Sequence, residues 1–144
     1  MRISAKAEYA CVAMLELAVN FKEPQPVRIK AIAEAQGIPQ RFLVQILLQL
    51  KTAGLVASVR GAAGGYQLAK PPESISLAQV ITAIDDRTLT PRSALGDAHR
   101  SPAVQALLGV WRELQAEEQR RLEKLTLAEL LRRAQQTNEL SYQI

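Results

Sequence analysis

At Gly54 the periodicity of the chain changes. Before it, apolar residues recur at steps of three and four in three successive segments. After it, Leu55, Ala57 and Val59 alternate with Val56, Ser58 and Arg60, a Gly61-Ala-Ala-Gly-Gly65 turn follows, and Tyr66, Gln67 and Leu68 resume the extended pattern. Steps of three and four put side chains on one helical face, whereas alternation puts them on one face of a strand. The chain is therefore expected to fold three helices and then a β-hairpin.

The three helices have readable ends. Ser4 can cap the first, which runs to about Val19 with Ala10, Ala13, Met14, Leu17 and Ala18 on its apolar face and Cys11 beside it. Lys22-Glu-Pro-Gln-Pro26 stops it, and a second helix from about Arg28 to Gln36 buries Ile29, Ile32 and Ala33 before the stop signal of Gly37. Pro39 suits the first turn of a third helix reaching about Ala53, with Phe42, Leu43, Ile46, Leu47 and Leu50 recurring on one side. Helix, helix, turn, helix and hairpin is the layout of a winged helix-turn-helix domain, a design that binds nucleic acid far more often than not.

Beyond the hairpin, Ser76-Leu-Ala-Gln79 reads as a capping box opening a fourth helix to about Ile84, expected to pack under the wing. From Asp85 to Arg100 the period is lost, which suggests a linker. Ser101-Pro102 then starts a long helix with a stripe of Val104, Leu107, Leu108, Trp111 and Leu114, and Thr126-Leu-Ala-Glu129 opens a last helix ending near Ala134. The division is a winged helix-turn-helix domain over 1–85, a linker over 86–100, and a dimerisation helix with a C-terminal helix over 101–144. The fold class is mainly α with a β-hairpin wing and a long C-terminal dimerisation helix. In a chain of 144 residues two large domains will not fit, and too little surrounds that stripe to cover it. A second copy is the expected cover, making a homodimer.

Charge sharpens the picture. Residues 1–70 carry nine Lys and Arg against four Glu, whereas residues 71–144 carry nine against ten acidic residues. Between Glu34 and Glu73 there is no acid at all, while Arg41, Lys51, Arg60 and Lys70 fall in the gap. Such a surface suits a polyanion such as double-stranded DNA. Other classes recede. The one apolar run near the N-terminus, Ala7 to Val19, contains Glu8 and Glu16 at helical spacing, so it reads as an amphipathic cytoplasmic helix, and no run of 18 apolar residues spans a membrane. With one cysteine, Cys11, and one histidine, His99, there is no visible nucleophile-base pair and no metal triad, so an enzyme is not expected. A buried inert thiol is the expectation for Cys11, and a solvated side chain for His99.

The residues themselves also carry a resemblance. Met1-Arg-Ile-Ser-Ala-Lys-Ala-Glu-Tyr-Ala10, Gly37-Ile-Pro-Gln-Arg-Phe-Leu43, and Leu55-Val-Ala-Ser-Val-Arg-Gly61 leading into Gly64-Gly-Tyr-Gln-Leu68 together resemble the bacterial Rrf-type family of dimeric transcription regulators, whose members include IscR, NsrR and CymR. The likeness runs through about residue 134, including the Trp111 helix and Thr126-Leu-Ala-Glu-Leu130.

The resemblance implies a third helix in the major groove and a wing arginine, here Arg60, in the minor groove, where a narrow A·T-rich groove attracts a guanidinium. Gly61, Gly64 and Gly65 would let that turn approach the DNA backbone. Arg2, Ser4, Lys6 and Tyr9 match a segment resembling the family's phosphate clamp, and Arg28 joins the same DNA-binding set. On the third helix, Gln40, Arg41 and Gln45 point away from the apolar face and can bond adenine and guanine edges.

Two departures limit what carries over. Many relatives have a glutamate where this chain has Val44, which can touch only a thymine methyl, so the family's operator sequence is not transferred. The cluster-binding relatives also carry three cysteines in the linker and this chain has none there, so neither a metal nor a cofactor is expected. The leading function is a repressor binding a near-palindromic operator and answering to an effector metabolite or a protein partner. The alternatives are a winged-helix module that docks a partner protein, and a cluster- or metal-responsive regulator with atypical ligands.

Overall fold

The computed structural model describes residues 2–85 and 101–142. Its elements are α1 (Ala5–Val19), α2 (Ile29–Gln36), α3 (Gln40–Thr52), β1 (Val56–Val59), β2 (Gly65–Leu68), a 3-10 turn at Pro72–Ser74, α4 (Leu77–Ile84), α5 (Pro102–Lys124) and α6 (Leu127–Tyr142). This is the mainly helical winged architecture that the periodicity predicts. The linker expected over 86–100, with His99, lies outside the described residues.

Local chemistry sets the helix ends. The Ser4 hydroxyl accepts from the Ala7 amide at 3.0 Å, and Ser101 does the same for Val104 at 3.2 Å. At α4 the box is reciprocal, with the Ser76 hydroxyl oxygen accepting from the Gln79 backbone amide and the Gln79 side-chain Oε1 accepting from the Ser76 backbone amide. Each such cap is worth about 1 kcal/mol. Gly37 ends α2 at φ 69°, in the left-handed region that glycine enters without strain.

The core is shared by every helix of the winged domain. Ala10, Ala13, Met14 and Leu17 of α1 meet Ile32 of α2, Leu43, Ile46, Leu47 and Leu50 of α3, and Val80 of α4. Leu127 at the start of α6 is buried in the same core. Backbone bonds fix it there: the Leu77 amide donates to the Leu125 carbonyl at 2.8 Å, and the Leu127 amide to the Ile75 carbonyl at 3.0 Å. The first turn of the last helix is thus held by the winged domain, although the sequence groups it with the 101–144 arm.

Several details differ from the sequence reading. Pro39 stands just outside α3 as its cap, with ψ 125°, and its carbonyl accepts from the Phe42 amide. Phe42 is 40 % exposed because it sits at the edge of the apolar face, about 100° round the helix from Leu43. In α2 only Ile32 is fully buried, and Ile29 and Ala33 are half-buried. The hairpin does not alternate cleanly. Leu55 and Val56 are both buried, because the Leu55 amide is still tied to the Leu50 carbonyl, whereas Val59 is exposed at the far end of β1.

The register is antiparallel, Val56 opposite Leu68 and Val59 opposite Gly65, and Val27 adds a bridge to Tyr66 on the open side of β2. The hairpin leans on α3 and α1, so α4 does not chiefly support the wing but packs against α1, α5 and α3. Finally, α6 continues past Ala134 to Tyr142, a stretch with neither Gly nor Pro to stop it.

Candidate nucleic-acid interface

The four core residues of α3 fix its opposite side toward solvent. Gln40, Arg41, Val44 and Gln45 are all exposed there. The start of this helix is joined to the start of α1 through an aromatic contact that the sequence reading did not foresee: Tyr9 stacks on Phe42 with ring centroids 5.9 Å apart and planes 30° apart. The Arg41 guanidinium lies over the other partner, 4.9 Å from the Phe42 centroid. Phe42 therefore holds Arg41 in place, since a guanidinium over a ring face loses much of its freedom. Its off-centre position on the helix was the available signal.

At the N-terminus, Arg2 is exposed and Lys6 half-exposed. Ser4 is already engaged. Its oxygen accepts from Ala7 while its hydroxyl donates to the Asp85 carboxylate, 2.8 and 3.0 Å from the two oxygens. Ser4 thus anchors α1 to the end of α4, and its own proton is committed within the chain. The first amides of α1 and the two cations beside them remain the groups suited to a phosphate.

Arg60 follows β1 directly and is exposed at the base of the turn. Gly61 has φ 109°, which a side chain would strain. Gly64 and Gly65 also have a steric role inside the protein that the sequence does not suggest. A Cβ on Gly64 would stand 2.3 Å from the Val59 carbonyl oxygen, and one on Gly65 2.4 Å from that of Val27. Their bareness lets the wing close on itself and on the segment at Val27 before α2. Arg28 also works inside the protein, since its guanidinium donates to the Ala62 carbonyl and ties the wing tip to the start of α2.

Along α5, Leu108 is already buried by its own chain and Val104 is half-buried. Leu107, Trp111 and Leu114 remain exposed, and Val110, absent from the sequence stripe, joins them at helical spacing. Among the described residues no helix is long and apolar enough to cross a membrane.

A helix-turn-helix whose third helix shows a Gln- and Arg-bearing face, beside a hairpin with an arginine at its turn, defines a winged-helix transcription regulator of the DNA-binding class. The chain belongs to the Rrf2 family, described as "Iron-dependent Transcriptional regulator", which matches residues 3–133. It is 47% identical over 131 residues to a Mycobacterium tuberculosis protein named among the HTH-type transcriptional regulators, covering 90% of this chain and 81% of that protein. Among solved structures it is similar to IscR of T. potens, at 34% identity and a TM-score of 0.76, covering 93% of this chain and 88% of that one. It is also similar to CymR, the global cysteine regulator of B. subtilis, at 32% identity and a TM-score of 0.77, covering 90% of this chain and 95% of that one.

The family description raises the question of iron, and the donors present do not fit a cluster. The chain has one cysteine. Cys11 is half-buried in α1, and burial together with the nearby Glu8 carboxylate pushes its thiol up to about 11, so it is protonated at neutral pH. Among the described residues no three His, Cys, Asp or Glu side chains converge as metal ligands.

Proposed function

We propose that the chain binds duplex DNA as a cytoplasmic homodimer and represses transcription from a near-palindromic operator, without the iron–sulfur cluster found in relatives. One observation carries this most: the acid-free stretch between Glu34 and Glu73 supplies both α3 and the wing, and its Gln40, Arg41, Gln45 and Arg60 are exposed while Leu43, Ile46, Leu47 and Leu50 are buried. Gln40 and Gln45 suit adenine edges and Arg41 a guanine edge, while Arg60 suits a narrow minor groove. Arg2, Lys6 and the α1 amides suit the phosphates that set the register.

The exposed Leu107, Val110, Trp111 and Leu114 would pair across a two-fold axis and hold two reading heads at a fixed spacing. The signal reaches the protein through a metabolite or a partner protein.

Selecting bound duplexes from a random pool tests this. A recovered near-palindrome is the expected result. Recovery of single unpaired half-sites would contradict the dimer, and recovery of no preferred duplex would contradict DNA reading and favour a winged module that docks another protein.

A further inference from the structure

The outward face of α3 is not uniformly polar. Val44 is 53 % and Leu48 59 % exposed, and they stand four residues apart, so their Cβ atoms lie about 5–6 Å from each other on one side of the helix. Leu48 sits about 100° round from the buried Leu47, on the side that carries Arg41 and Gln45. A single exposed leucine is ordinary. A pair of exposed branched residues in the midst of Arg41, Gln45 and Lys51, on a stretch without acids, is not the way to keep a helix wet.

The surroundings identify the occupant. The flanking cations and the lack of acid suit a polyanion, so the apolar pair faces whatever apolar group a polyanion presents. On the base edges of the duplex major groove that group is the thymine C5-methyl. Base pairs stack about 3.4 Å apart, so two side chains 5–6 Å apart reach methyls one or two steps apart.

We propose that Val44 and Leu48 form a ridge that reads thymine methyls at two positions of each half-site. This rests on the DNA-binding function proposed above and adds to it the base class selected and a second residue, Leu48, that selects it. Gln45, between the two in sequence, remains free to bond an adenine edge. Where the resembling family carries a glutamate suited to a cytosine amino group, this chain has a valine, which discriminates against cytosine only because cytosine lacks the C5-methyl that thymine presents.

The test uses the full-length protein and the duplex recovered from the random pool, synthesised once with thymine and once with uracil, which lacks only that methyl. Burying one methyl changes affinity about fourfold, so the wild type should bind the uracil duplex about fourfold more weakly for each contacted methyl. Val44→Ala and Leu48→Ala are surface changes, and together they should bring the two duplexes to equal affinity. Equal wild-type affinity for both duplexes, with sequence preference intact, overturns the ridge and leaves DNA reading standing. A uracil penalty that persists unchanged in the double variant also overturns it, by assigning the penalty to duplex shape. Loss of all duplex preference in the wild type would overturn both.

Discussion

Replacing Trp111 by alanine tests how the winged domains are held together. The side chain is 42 % exposed in the single chain, and an aromatic residue of this size has up to ~250 Å² to bury, so roughly 100 Å² per copy is available to a partner. At about 25 cal/mol per Å² this is ~2.5 kcal/mol per copy and ~5 kcal/mol for a symmetric pair, less whatever the alanine recovers. A loss of about 3–5 kcal/mol raises the dimer dissociation constant by roughly two to four powers of ten. Part of Trp111 is covered by its own chain, so the variant should also melt somewhat earlier. Leu107→Ala, whose side chain is more exposed, separates the two effects by weakening the dimer with little change in the monomer. Sedimentation over a range of concentrations, paired with titration of a two-half-site duplex, reads both. A wild type that is monomeric yet binds that duplex tightly, or a Trp111→Ala dimer as tight as the wild type, would refute the reasoning.

Other consequences follow from the same geometry. Arg28→Ala frees the Ala62 carbonyl and should speed hydrogen exchange across the wing turn and weaken duplex binding by roughly 1 kcal/mol; unchanged exchange would show that the tie is idle. Gly65→Ala forces a Cβ against the Val27 carbonyl and should cost about 1–3 kcal/mol in a thermal or denaturant melt, and an unchanged melt would contradict the close approach. Hydrogen bonds from Arg132 and Arg133 hold the Glu129 carboxyl down to about 2 from 4.5, so its contribution to α6 is complete above about pH 4.5 and is lost as the pH falls toward 2; an NMR titration midpoint near 4.5 would contradict the pairing. Protein purified without oxygen from iron-replete cells should be colourless, and stoichiometric iron and sulfide would oppose the cluster-free reading.

The elements were legible because each is written in spacing and caps. The Ser76 box and Ser101-Pro102 start their helices where the sequence places them, and the switch of period at Gly54 announces the hairpin. What spacing could not convey is which partner satisfies a group. Ser4, Arg28, Gly64 and Gly65 are read from sequence as facing DNA, yet Ser4 donates to Asp85, 81 residues away, Arg28 reaches the wing tip, and the two glycines make room for carbonyls. These are tertiary contacts between distant segments, and no local pattern records them. Phe42 is read from sequence as core for a simpler reason: an apolar residue is assigned there by default, and only its angle round the helix tells otherwise.

The central claim is that α3 and the wing grip duplex DNA through charge and base edges together. The most direct test is the affinity of the wild type and of Arg60→Ala for the selected duplex, measured from low to physiological salt and beyond. The wild type should lose affinity linearly in the logarithm of salt concentration, with a slope of about −0.9 for each phosphate neutralised. Arg60→Ala should bind about 1–3 kcal/mol more weakly while melting as the wild type does. Affinity that ignores salt, or an Arg60→Ala variant indistinguishable from the wild type at every salt concentration, would contradict the claim.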